Sequence, residues 1–137
     1  MVKKMIVYFS LCSFVLLIGC GKELDEENPE KHIEYLESFG WHIKDKKSKE
    51  TELINNWRNY VSARDAGIDL EPYNNKEMDI ITYVLKEKQK TGKEIHASIY
   101  EINGDVIGGY GRLDDFLPGV FSLMDKEKLK MDGIMNQ

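Results

Sequence analysis

The chain has 137 residues, with 19 basic and 24 acidic side chains and a formal charge of −5 at neutral pH. That length suits one compact domain. An acidic balance with no basic stripe disfavours nucleic acid as a partner.

Lys3 and Lys4 open the chain, and residues 5–18 form a 14-residue apolar run whose polar interruptions are Ser10 and Ser13. Basic start, apolar run and small residue together read as an export signal. The run is shorter than the roughly 20 residues a helix needs to span a bilayer. Leu17-Ile18-Gly19-Cys20 resembles the lipobox of bacterial lipoproteins, which implies cleavage before Cys20 and acylation of its thiol. An ordinary secretory signal and an uncleaved signal anchor are the alternatives. Two acyl chains, at about 0.8 kcal/mol per buried methylene, hold a protein stably where one is marginal. The expected partner is therefore the lipid bilayer, reached through acylated Cys20 on the extracytoplasmic face of the cell membrane.

Removing residues 1–19 leaves 118 residues and moves the charge to −7. Cys12 leaves with the signal, so no disulfide can form within one mature chain. Residues 21–28 are acidic and poor in apolar side chains, the composition of a disordered tether. Eight residues reach at most about 29 Å, which keeps the body close to the membrane. The expected organisation is a signal peptide at 1–19, a lipidated cysteine and tether at 20–28, one domain at 29–124 and a flexible tail at 125–137.

Asn28-Pro29 reads as an N-cap with proline at the first helical position, and Ile33, Leu36 and Phe39 recur at helical spacing up to Gly40. With Gly40 left-handed at the stop, Trp41 should fold back onto Leu36, as core and not as a ligand platform. His42-Ile43-Lys44 is a brief extended piece before a polar run at 45–50. Leu53, Ile54, Trp57, Tyr60, Val61 and Arg64 then form the stripe of a second helix that Gly67 closes. Residues 68–75 read as a loop anchored by Tyr73.

From residue 78 the period becomes two. Residues 78–88 and 93–102 read as strands around Gln89-Lys90-Thr91-Gly92. Asn103-Gly104 fits a two-residue type I′ turn, pairing Glu101 with Val106, Ile99 with Gly108 and Ala97 with Tyr110. One face, with Ile95, Ala97, Ile99, Val106, Gly108 and Tyr110, should meet the helices. The other carries His96, Ser98, Tyr100, Ile102, Ile107 and Gly109 and is free to stay wet or take a partner. Leu117-Pro118-Gly119 suggests a tight turn and residues 120–124 a last packed segment. The expected fold is α+β, with two N-terminal helices packed on one face of an antiparallel β-meander of three or more strands.

Chemistry is sparse. His32, His42 and His96 lie on different elements without metal-ligand spacing, so no metal, cofactor or catalytic residue is assigned. Gly108-Gly109-Tyr110-Gly111 invites a phosphate-cradle reading but lacks the lysine and hydroxyl of a P-loop. Bulging or close packing is the simpler account. Asp114-Asp115 is an isolated acidic pair, open to acid/base or calcium roles but without EF-hand spacing.

Tyr35-Leu36-Glu37-Ser38-Phe39-Gly40-Trp41, Ala66-Gly67-Ile68-Asp69-Leu70 with Tyr73, Thr82-Tyr83 and residues 102–109 resemble, in that order, an uncharacterised domain family of Gram-positive exported and lipid-anchored proteins. The likeness spans roughly residues 30–124 and implies a small domain with no assigned activity. The leading expectation is a noncatalytic binding or interaction domain for an envelope protein or small ligand. Its candidate face is His96, Ser98, Tyr100 and Ile107. A small extracytoplasmic hydrolase and an inhibitor or immunity lipoprotein are the alternatives.

Overall fold

The computed structural model describes residues 29–117 and 119–137. The expected signal peptide, Cys20 and tether lie outside them, as does Pro118 of the expected tight turn.

Helix α1, Pro29–Glu37, stops as its sequence requires. Gly40 has φ 82°, its N–H donates to the Glu37 carbonyl at 2.8 Å, and the Trp41 N–H donates to that of Leu36 at 3.0 Å. This is the Schellman pairing, and Leu36 and Trp41 are both fully buried. Strand β1, Ile43–Leu53, follows directly, then helix α2, Trp57–Asp65, and strands β2, Glu77–Lys88, β3, Glu94–Ile102, β4, Asp105–Arg112, and β5, Val120–Phe121. A short helix α3, Lys126–Met131, comes last. The five strands form one antiparallel sheet in sequence order.

This corrects the expected architecture. The fold is dominated by its sheet, one short helix precedes that sheet, and α2 lies between its first two strands. The helices also cover both faces. Leu36 of α1 and Leu129 of α3 join Ile81, Tyr83, Ile95, Ala97 and Ile99 in one core. Ala63 of α2 and Leu70 join Met78, Tyr100 and Ile102 in a second. Alternate residues of β2 and β3 therefore feed opposite cores, as the period of two demands.

β1 extends far beyond the brief extended piece at residues 42–44, and its length is hidden in the sequence because it carries almost no apolar alternation. It is an edge strand, where Lys44, Lys46, Lys47 and Lys49 discourage pairing with another chain, and two register shifts distort its ladder. The expected flexible tail is folded at its centre: Leu129 and Met135 are buried, the Lys90 N–H donates to the Ile134 carbonyl at 2.7 Å, and Gln89 bridges to Met135.

The β3–β4 turn has the expected form, with φ 51° at Asn103 and 78° at Gly104, and Glu101 pairs with Val106. A bulge follows. Beyond it Ile99 opposes Gly109, and Ala97 opposes Gly111, one residue away from the expected register. The shift points Gly108 at Ile68 under α2 and turns Gly109 and Gly111 toward Tyr35, Leu123 and Phe121 on the other side.

Candidate functional site

Asn56 caps α2 by accepting from the Arg58 and Asn59 N–H groups at 3.0 and 3.2 Å. Gly67, at φ 82°, ends it. The side of α2 that enters the fold is not the expected aromatic stripe. Ala63 and Asn59 are its buried residues, with small Ala63 letting the helix approach the sheet and Asn59 donating to Glu52 at 2.6 Å. Trp57, Val61 and Arg64 line an open groove of about 950 Å³ between α2 and residues 67–74, together with half-buried Tyr60, which also packs on the core under α2. Trp57 is 69% exposed, and the Arg58 guanidinium lies 5.8 Å from its ring centre. An exposed indole beside a guanidinium is an arrangement suited to recognition. The sequence signal for it is the same stripe, of which Ile54 and Tyr60 pack on the core while Leu53 and Trp57 are exposed.

The expected binding face is covered. His96, Ser98 and Tyr100 are only 3%, 1% and 3% exposed. Tyr100 and half-buried Ile107 belong to the core under α2. Burial first, and Tyr110 second, raises the Tyr100 phenol well above its ordinary range. Ser98 and Thr82 share a hydrogen bond of 2.7 Å. His96 sits among charges: Asp114 Oδ2 is 3.3 Å from Nδ1, and Glu94 Oε2 and Lys47 Nζ are 3.4 and 3.3 Å from Nε2. The cause is that α2 packs Ala63 and Tyr60 into the core that holds Tyr100 and Ile107, while Lys47 of β1 reaches His96.

The other histidines are also placed. On α1, buried His32 meets Tyr83 Oη at 2.6 Å through Nδ1 and Glu101 Oε1 at 2.6 Å through Nε2. Burial, and secondarily the Glu101 charge, pushes the Tyr83 phenol up to about 12. The sequence signal for this group is indirect: His32 stands one helical turn before Leu36, and Glu101 shares the inward alternation of Ala97 and Ile99. His42 lies at the surface against Glu87, Nδ1 to Oε1 2.6 Å. Burial works to raise the Glu87 carboxyl, but bonds from His42 and Lys126 prevail and hold it below its usual value.

Asp114 and Asp115 do not act as a pair. Asp114 accepts from Arg112 at 2.9 Å and Asp115 from Gln89 at 2.9 Å and Lys93 at 3.1 Å. The glycine run is explained by packing: a Cβ at Gly111 would lie 2.0 Å from the Phe121 ring, and one at Gly109 3.0 Å from that of Tyr35. Among the described residues no cluster of three or more potential ligands is arranged for a metal ion, and no helix is long and apolar enough to cross a membrane.

No curated protein and no solved structure matches the chain. Residues 35–110, from the last turn of α1 through the groove and the hairpin, match the family described as Domain of unknown function (DUF4830). That stretch is more than half of the chain, and the protein belongs to the DUF4830 family.

Proposed function

We propose that this is a lipid-anchored, extracytoplasmic interaction protein of a Gram-positive envelope, noncatalytic and held at the outer face of the cell membrane by acylated Cys20. The observation that carries the reading is the order Lys3-Lys4, apolar run, Leu17-Ile18-Gly19-Cys20, because a thiol is the nucleophile suited to accept the lipid. The surface offered to a partner is the outward side of α2, beginning at Trp57, in place of the covered sheet face. Cys20→Ser should release the body or leave an unprocessed precursor. Normal acyl labelling of that variant overturns the anchoring.

A hydrolytic reading has one observation in its favour, the approach of Asp114 to His96 at 3.3 Å. Against it, the ring is buried and the neighbouring Ser98 hydroxyl is engaged by Thr82. Interaction without chemistry uses the exposed features of the molecule and stands ahead.

A further inference from the structure

The chain enters the described domain at one end of the sheet. Lys31, in the first turn of α1, donates to the Gly104 carbonyl of the β3–β4 turn at 3.3 Å. Ile102 pairs with Asp105 beside that turn, Asp79 with Glu101, and Leu53 with Glu77. The end of β1, the start of β2 and the β3–β4 turn are therefore on the same side as the start of α1. α2 departs from that side too, since Leu53 ends β1 and Trp57 begins the helix. Leu53 and Trp57 are both exposed large apolar residues.

On the anchored reading, residues 21–28 hold this same end within about 29 Å of the acylated sulfur. We propose that the Trp57 end of the α2 surface docks on the bilayer interface itself, with the indole at headgroup depth and Arg58 on lipid phosphate. The inference rests on the lipid anchor and names the partner of that surface. Indole rings concentrate at membrane–water interfaces because they join an apolar body to a polar N–H. A guanidinium binds phosphate in a planar fork. This end carries more acid than base, with Glu30, Glu34, Glu52, Glu77 and Asp105 around Lys31, Arg58 and Lys76, so the contact rests on the indole and the Arg58 fork and not on net charge.

One indole and one leucine would hold a free protein on lipid only weakly. A short tether changes the outcome, because it keeps the end at an effective concentration of about millimolar beside the surface. The contact then sets the orientation of the domain, while the acyl chains supply the hold.

The two tryptophans give a direct test. Trp41 is fully buried and Trp57 is exposed, so lipid-dependent changes in emission report Trp57. Full-length protein purified from membranes is reconstituted in phosphatidylcholine vesicles with a minority of phosphatidylglycerol, with and without brominated acyl chains, and its Cys20 acylation is checked by mass. The expected result is a blue shift and loss of most Trp57 emission in brominated vesicles, both absent in Trp57→Phe. Acylated protein whose emission is the same in both vesicles overturns the docking and leaves the anchor standing. Protein with an unmodified Cys20 overturns the anchor and the docking that depends on it.

Discussion

The Phe121 ring lies over Gly111 so closely that a Cβ there would meet its carbons at 2.0, 2.2 and 2.6 Å. The two residues are paired across β4 and β5, and buried Phe121 also packs against Trp41, ring centres 5.7 Å apart. Gly111→Ala should therefore destabilise by about 2–3 kcal/mol, the upper part of the range for overpacking. Gly108→Ala meets only the Ile68 side chain, at 3.1 Å, and should cost less. Urea midpoints of the two variants check the order.

Alkaline pH should weaken the fold through Tyr83. Its phenol is raised by burial, then by Glu101, from an ordinary 10.0 to about 12. The unfolded chain therefore loses the proton first. The stabilisation is complete below pH 10.0 and is lost as pH rises to about 12. Burial raises the Tyr35 phenol in the same direction. Tyr83→Phe should be less stable at neutral pH, where it deprives His32 of a 2.6 Å bond, by about 1–3 kcal/mol. It should also show a flatter decline above pH 10.0. Denaturant titrations across that range decide it.

The two tryptophans should respond unequally to substitution. The Trp41 indole donates to the Leu123 carbonyl at 2.8 Å and carries Lys126 Nζ 4.9 Å from its ring centre. Trp41→Phe leaves that carbonyl without its donor and should cost about 1–3 kcal/mol for the bond, with further loss from packing. Trp57→Ala should stay within about 0.5 kcal/mol of the parent. A thermal or urea unfolding series separates them.

The last residues should be indispensable. Removing residues 126–137 takes away buried Leu129 and Met135 and the Lys126 contacts to Glu87 and the Gly40 carbonyl. The loss should resemble two large-to-small core substitutions, at about 2–5 kcal/mol each. Circular dichroism of the shortened chain should show a lowered melting point.

Local stops and turns were legible because their chemistry is short-ranged. Gly40-Trp41 and Asn103-Gly104 each need a left-handed backbone that neighbouring residues specify. The architecture was not legible, for two physical reasons. β1 is an edge strand whose exposed lysines hide the apolar alternation that marks a half-buried strand. α2 enters the fold chiefly through Ala63 and Asn59, with Tyr60 half-buried beside them and Trp57 left exposed. The candidate site is hidden for the same reason: an aromatic helix stripe has the same sequence whether it faces a sheet or a groove. The bulge near Tyr100 was equally hidden, since Ile107 suits either register.

Trp41 closes on a carbonyl 82 residues further along the chain, and Lys126 reaches back 86 residues to Gly40. The stop of the first helix thus lacks its seat unless Leu123 and Lys126 are in place. Closing so long a loop carries an entropic cost that local contacts do not share. The two ends of the described domain are thereby latched to one another, and loosening either one should loosen both.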